Sequence, residues 1–131
     1  MSDKMYQEEL MEHFKNPRNK NEIKNPDFAA SHTNISCGDK IGMHGKIEND
    51  IITEIGFDGT GCVISQASAS MLTELCLGKT IQNVLALSKD DVLQLVGIQL
   101  GPNRLKCALL GLVVLQDALR IYKNNKKEGM I

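Results

Sequence analysis

The chain has 131 residues, of which 42% are hydrophobic, and its net charge is −1. This length predicts one domain with one hydrophobic core, residues 1–131. The near-neutral charge and the 4% aromatic content argue against a nucleic-acid partner. The longest apolar run, from Cys107 to Leu115, is well short of the roughly 20 residues of a membrane span.

The four cysteines are interpreted from the expected location of the chain. The sequence opens with no apolar stretch typical of a signal peptide, so we expect a cytoplasmic location and no membrane partner. Thiols stay reduced in the cytoplasm, which argues against a disulfide framework. Metal binding, sulfur chemistry and simple burial therefore remain as roles for the cysteines.

The first predicted element is an amphipathic helix from Lys4 to about Lys15. Apolar residues recur there at helical spacing, and Asn16-Pro17 ends the pattern. Residues 16–35 are polar and show little periodicity, which predicts a surface loop.

Two alternating segments then predict a β-hairpin with its turn at Glu48–Asp50. The predicted inner faces are Ile41, Met43 and Ile47 in the first strand and Ile51, Thr53, Ile55 and Phe57 in the second. Two strands alone are marginally stable, so we expect support from a third strand near Ser31–Ser36 or from a packed helix.

The second half of the sequence predicts helices. Helical patterns run from Cys62 to Leu77, from Thr80 to Leu87, from Lys89 to Val96 and from Asn103 onward, with Gly78 and Ser88 as expected caps. The expected inner face of the last helix is Leu105, Ala108, Leu109, Leu112, Val113 and Leu119. The predicted fold class is α+β, a small antiparallel sheet of about three strands packed against several α-helices.

Three cysteines lie at the ends of predicted elements. Cys37 precedes the first strand of the hairpin, Cys62 opens a helix and Cys107 lies in the first turn of another. A thiol at a helix N-terminus ionises more readily to the thiolate that binds metals. The sequence has no C-x-x-C pair, however, so spacing alone predicts a shared metal site only weakly, and ordinary buried or exposed thiols remain the alternative.

The other candidate ligands have simpler explanations. Cys76 follows Cys62 by 14 residues in one predicted helix, about 21 Å along the axis, and is interpreted as a core or surface thiol. Asp39 is either an oxygen ligand or a turn residue. The three histidines, at positions 13, 32 and 44, are interpreted as solvated or hydrogen-bonded side chains.

Several ordered motifs together resemble a known family. They are the segment Tyr6–Asn19, Cys37-Gly38-Asp39, Gly61-Cys62 running into residues 64–71, Gly78-Lys79 and Arg104-Leu105-Lys106-Cys107. Over nearly the whole chain the sequence resembles the U-type iron-sulfur assembly scaffolds, with their IscU, NifU N-terminal and SufU branches.

The resemblance implies a function and a ligand set. Cys37, Asp39, Cys62 and Cys107 would bind iron or a transient [2Fe-2S] cluster, or alternatively zinc, and Cys37, Cys62 and Cys107 would be the candidate persulfide acceptors. A pyridoxal-phosphate cysteine desulfurase would supply sulfur, apo iron-sulfur proteins would receive the cluster, and a weak homodimer is a further candidate assembly. The expected role is a scaffold rather than an enzyme.

The sequence also departs from each branch. Lys106 stands where the IscU branch has a histidine, and the loop Leu100–Arg104 differs from that branch's chaperone-binding motif. The stretch Thr80–Gly101 lacks the extra segment of the SufU branch, although the motif at Cys107 resembles it. A zinc-dependent sulfurtransferase that stimulates its desulfurase is therefore the alternative function, and a domain in which zinc only stabilises the fold is a third.

Overall fold

The computed structural model describes residues 3–35 and 38–129, so Cys37 and Ser36 lie outside the described residues. The elements in chain order are α1 (Asp3–Lys15), β1 (Phe28–Asn34), β2 (Asp39–Glu48), β3 (Ile51–Thr60), α2 (Val63–Cys76), α3 (Ile81–Leu85), α4 (Lys89–Val96) and α5 (Pro102–Gly129). The predicted α+β class is confirmed.

The sheet is antiparallel with strand order β1-β2-β3. In β1, Phe28 pairs with Gly45 and Asn34 pairs with Asp39. The expected third strand therefore exists, but it begins at Phe28, inside the segment predicted to be a loop. Phe28 is the one fully buried residue of β1. Its exposed neighbours leave no alternating pattern from which the strand could be predicted.

The hairpin between β2 and β3 has the tight turn that the sequence predicts. Asn49 and Asp50 adopt φ angles of 53° and 62°. Positive φ at both central residues is the requirement of a type I′ turn, whose twist matches that of the paired strands.

The prediction of which residues of β3 face the core is wrong for the first half of the strand. Lys46 pairs with Glu54 and Ile47 pairs with Ile52, so Thr53 is an extra residue in β3. This bulge shifts the alternation by one position. Ile52 is consequently buried, whereas Ile51 and Thr53 are exposed. Beyond the bulge, Ile55 and Phe57 point into the core as predicted.

Helix α2 is the central helix and packs against α1, α5 and β3. Its first half, Ser65–Ser70, consists of small residues apart from Gln66 and is buried throughout. Small side chains allow neighbouring backbones to approach closely. Gly111 of α5 lies opposite Ala69 at such an approach.

The remaining helices begin and end close to where the sequence predicts. Ser88 caps α4 in a reciprocal capping box with Asp91, and Gly78 adopts a φ angle of 86° after α2. Helix α5 begins one residue early, with Pro102 at the first helical position, which proline favours.

The prediction that Val113 lies on the inner face of α5 is wrong. Val113 is 48% exposed, whereas Leu112 and Leu119 are buried. Val113 borders a surface groove with residues of β1, because the sheet ends at this edge strand and leaves that side of α5 uncovered. Within residues 3–35 and 38–129, no helix is long and apolar enough to cross a bilayer.

Candidate metal centre

Asp39 is the first residue of β2 and is fully buried. Its Oδ1 accepts a hydrogen bond of 2.8 Å from the backbone N–H of Cys62. A buried carboxylate requires such partners. Asp39 is therefore more than a turn residue, because it connects the start of β2 to the segment that follows β3.

Cys62 is the N-cap residue of α2, and its side chain is exposed. The backbone N–H of Ser65 donates to Cys62 Sγ over 3.5 Å, and Ser65 Oγ donates to the carbonyl of Cys62 over 3.1 Å. The sulfur thus occupies the place that a serine or aspartate oxygen has in most caps, at the positive end of the helix dipole.

Cys107 lies in a different position from the one predicted. Helix α5 begins at Pro102, so Cys107 is in its second turn rather than its first, and the dipole effect is weak there. The side chain is 3% exposed, and its thiol donates to the carbonyl of Asn103 over 3.4 Å.

These three residues converge from separate elements. Among residues 3–35 and 38–129, one ligand atom each of Asp39, Cys62 and Cys107 lie within 4.8 Å of one another. Cys62 Sγ is 3.7 Å from Asp39 Oδ2. Tetrahedral zinc, with bonds of about 2.0–2.3 Å, separates its ligand atoms by roughly 3.3–3.8 Å. Two sulfurs and one carboxylate oxygen therefore fit a metal after a contraction of about 1 Å.

The fourth predicted ligand, Cys37, lies outside the described residues. It precedes Asp39 by two positions in the chain.

Gly61 permits the close approach of Asp39 and Cys62. Its φ angle is 141°, and a Cβ atom there would overlap with Asp39 Oδ1. Only glycine is free of both the strain and the overlap. The Gly61-Cys62 motif is visible in the sequence as a glycine before a candidate ligand. The contact between Gly61 and Asp39 could not be predicted, because it depends on the position of β2.

A groove of about 580 Å³ opens beside the two thiols. Its apolar wall consists of Leu10, Met11, Val63, Ile64 and Ile98, and both Cys62 and Cys107 line it. Arg104 is the one charged side chain among the described residues that line this groove.

Cys76 is confirmed as a core thiol. It is fully buried, and burial raises its pKa to about 12. A buried protonated thiol behaves as a small apolar side chain.

The three histidines are all hydrogen-bonded, as the sequence analysis allows. His44 Nε2 lies 2.8 Å from the carbonyl oxygen of Asn21, and His32 Nε2 lies 2.8 Å from Asp117 Oδ2. His13 is buried between α1 and α2.

His13 forms a buried polar contact between α1 and α2. Its Nδ1 lies 2.8 Å from Ser70 Oγ, which also accepts from the backbone N–H of Arg18, and its Nε2 lies 3.3 Å from Glu74 Oε1. Burial lowers the pKa of His13, Arg18 lowers it further, and Glu74 opposes both. Asn19 adds a hydrogen bond to Thr73. The N-terminal motif therefore attaches α1 and the following loop to α2.

Comparison with known proteins places this architecture in a defined class. A three-stranded antiparallel sheet backed by helices carries a carboxylate and two thiols at one end, which form a candidate cysteine-based metal site. Residues 5–129 match the NifU-like N terminal domain, and the chain belongs to that family.

The relatives have two kinds of name. The chain is 36% identical to the "zinc-dependent sulfurtransferase SufU" of Bacillus subtilis, over 97% of this chain and 94% of that protein. It is 34% identical to the "iron-sulfur cluster assembly scaffold protein IscU 1" of Archaeoglobus fulgidus, over 93% and 80%. A crystal structure of an assembly scaffold protein for the SUF system from Fervidobacterium islandicum superposes with a TM-score of 0.74 at 28% identity, covering 91% of this chain and 99% of that one.

Proposed function

We propose that this chain is an iron-sulfur cluster assembly scaffold. It accepts sulfur from a cysteine desulfurase, binds iron and builds a transient [2Fe-2S] cluster that passes to apo-proteins. The observation that carries the proposal is the convergence of Asp39, Cys62 and Cys107 from three separate elements. Relatives named as IscU scaffolds, which align over most of the chain, support it. Because the buried apolar residues that the structure describes form one cluster, residues 1–131 are proposed to act as one domain. A cytoplasmic location is proposed as well, as expected from the sequence.

The proposed ligands are Cys37, Asp39, Cys62 and Cys107. Thiolates are the usual ligands of iron-sulfur clusters. A carboxylate is a harder ligand and binds cluster iron less strongly than a thiolate does. A site with three thiolates and one carboxylate therefore suits a cluster that must be released.

The two thiols of the candidate site that the structure describes differ in access to a sulfur donor. Cys62 is exposed and borders the groove, whereas Cys107 is 3% exposed. Sulfur transfer requires an accessible thiolate that attacks a persulfide. Cys37, Cys62 and Cys107 are all proposed persulfide acceptors, and exposure favours Cys62 over Cys107.

The second candidate is a zinc-dependent sulfurtransferase that stimulates its desulfurase without building a cluster. Two observations favour it: the match to SufU covers 97% of the chain, and the sulfur and oxygen atoms present fit tetrahedral zinc. That alignment spans 144 positions, more than the 131 residues of this chain, so the relative has residues with no counterpart here. The identity of the metal distinguishes the two functions.

The test is a visible absorption spectrum. The purified protein is incubated without oxygen with ferrous iron, cysteine and a cysteine desulfurase, and is then separated from the reagents. A persistent thiolate-to-iron charge-transfer spectrum, lost in Cys37→Ser, Cys62→Ser and Cys107→Ser but retained in Cys76→Ala, supports the scaffold. A colourless protein that retains zinc and accelerates the desulfurase supports the sulfurtransferase. If neither spectrum nor zinc depends on these cysteines, both functions are rejected.

A further inference from the structure

The groove beside the thiols has the size and lining of a small-molecule site. Its volume of about 580 Å³ lies within the range of roughly 300–1,000 Å³ that is typical of ligand pockets. The wall is mostly apolar, and Gln7, Asn103 and Arg104 supply the polar groups at its border. The groove therefore combines sulfur chemistry with one positive charge.

Arg104 has no structural task in the part of the chain that the structure describes. It is exposed, and within residues 3–35 and 38–129 its side chain has no ion pair or hydrogen bond. The other two arginines, Arg18 and Arg120, are each paired with a carboxylate. An arginine without a carboxylate, at the border of a pocket, is available to an anionic ligand.

The position of Arg104 beside the thiols limits the size of the ligand. Arg104 and Cys107 are three residues apart in α5, so they lie on one face of the helix, and the flexible arginine side chain carries its guanidinium several ångströms beyond its own Cβ atom. In a persulfide of an α-amino acid such as cysteine, four bonds separate the carboxylate carbon from the outer sulfur, a span of roughly 5 Å. Because Arg104, Cys62 and Cys107 line the same groove, a carboxylate bound at Arg104 would keep the outer sulfur within the groove that the two thiols border.

We propose that this groove accepts sulfur directly from a free, low-molecular-weight amino-acid or peptide persulfide of the cysteine class. The carboxylate of the donor binds the guanidinium of Arg104, and the sulfane sulfur faces Cys62. The proposal rests on the proposed function of the same site. It adds a diffusible donor to the protein-bound one.

The transfer needs no added oxidant or reductant. The thiolate of Cys62 attacks the outer sulfur of the donor, and a new S–S bond forms at Cys62. The S–S bond of the donor breaks, and its inner sulfur leaves with the electron pair as a thiolate, which takes up a proton from water. One persulfide is consumed and one is formed.

The test omits the desulfurase. The full chain, as purified, is mixed with the persulfide of cysteine or with that of cysteine methyl ester, in which an uncharged ester replaces the carboxylate. Mass spectrometry of the intact protein and of its peptides measures the initial rate at which Cys62 gains one sulfur atom. The wild type should react about tenfold faster with the cysteine donor, as expected for one charge-assisted pair.

The variants separate charge recognition from general reactivity. Arg104→Ala should lose the preference between the two donors, and Arg104→Lys should retain part of it. Lys106→Ala is the matched control, because Lys106 has the same charge on the same helix but lines a different groove, beside β1, and should keep the full preference. Circular dichroism of each variant checks the fold, and Arg104→Gln serves if the alanine variant is unstable.

Four results would overturn the inference. A wild type that does not discriminate between the donors, or an alanine variant that still does, removes the role of Arg104. Acceptance of sulfur only from a desulfurase-bound persulfide, with normal cluster formation in the same preparation, rejects the free donor and leaves the proposed function standing. A wild type that binds no metal and takes up no sulfur from any donor rejects both the free donor and the proposed function.

Discussion

The carboxylate of Asp39 accepts a hydrogen bond of 2.8 Å from the backbone N–H of Cys62. Two candidate ligands from separate elements are therefore held together by a contact that needs no metal. Such an arrangement reduces the ordering required when a metal binds. It also separates two roles of Asp39, as a hydrogen-bond acceptor and as a ligand, which substitutions can resolve.

Asp39→Asn should impair metal binding more than folding. The side-chain oxygen of asparagine can still accept from the Cys62 N–H, but the negative charge is lost. Asp39→Ala loses both roles and leaves the part-buried N–H of Cys62 without its partner, at a cost of about 1–3 kcal/mol of unfolding free energy. Metal content and chemical denaturation measure the two effects. Equal stability of both variants would show that the hydrogen bond does not support the fold.

Gly61→Ala should disrupt the site through the backbone. Alanine is strained at a φ angle of 141°, and its Cβ would overlap with the carboxylate of Asp39. We expect a loss of about 1–3 kcal/mol in stability together with weaker metal binding. The control is Gly101→Ala, because a Cβ atom there meets nothing within 4 Å. Normal zinc or iron binding by the Gly61 variant would contradict the proposed geometry.

The stability of the fold should decrease as the pH falls below 6.5, in part because of His13. Burial lowers the pKa of His13 in the folded state from its ordinary value of 6.5. The unfolded chain then binds more protons than the folded chain between the lowered pKa and 6.5, so acidification in this window favours unfolding. Stability is retained above pH 6.5. Thermal unfolding at pH 7.5, 6.5 and 5.5 measures the dependence.

A substitution of His13 tests whether this residue causes the pH dependence of stability. His13→Gln keeps a polar side chain beside Ser70 but cannot take up the proton, so the dependence should become shallower. His32→Gln is the comparison, because His32 is 45% exposed and pairs with Asp117 at the surface. Glu74, Glu9, Glu12 and Arg18 also act on His13 and are unchanged in both variants. The same slope in His13→Gln as in the wild type would assign the effect to carboxylates instead.

Alkylation should distinguish Cys76 from Cys62. With a pKa of about 12, the buried thiol of Cys76 stays protonated at pH 8 and should resist iodoacetamide in the native protein. Cys62 is exposed and should react first once the metal is removed. Peptide mapping over time gives the order. Rapid native labelling of Cys76 would show that the core around it opens readily.

A companion variant tests the same assignment through stability. Cys76→Ala should lower the unfolding free energy by about 1 kcal/mol and leave metal content unchanged. Cys76→Ser places a hydroxyl in the core and should cost more, about 1–3 kcal/mol. A parallel loss of metal in the alanine variant would place Cys76 in the functional site.

The fold could be predicted from the sequence where local chemistry decides it. Ser88 as a cap and Gly78 after α2 both occur as expected, because capping depends on neighbouring backbone groups. The bulge at Thr53 could not be predicted, since it depends on pairing across two strands. The exposure of Val113 likewise depends on where the sheet ends.

The site was predictable only in part for a similar reason. No spacing in the sequence shows that Asp39, Cys62 and Cys107 meet, because three elements must first be packed together. The resemblance to a known family supplied that information. The starting residue of α5 then changed the position of Cys107 from the first helical turn to the second.

The register of the hairpin has a mechanical consequence for the site. The turn lies at Asn49 and Asp50, whereas Lys40 pairs with Thr60 at the opposite, open end, next to Asp39 and just before Cys62. The candidate ligands Asp39 and Cys62 thus lie at the end of the β2–β3 pair that is far from its turn, and Asp39 also ends the pairing of β1 with β2, opposite Asn34. Separation of the last β2–β3 residue pairs would move the carboxylate away from Cys62 without disturbing the core around Phe57. We expect release of a bound metal or cluster to need such local opening rather than unfolding of the whole chain.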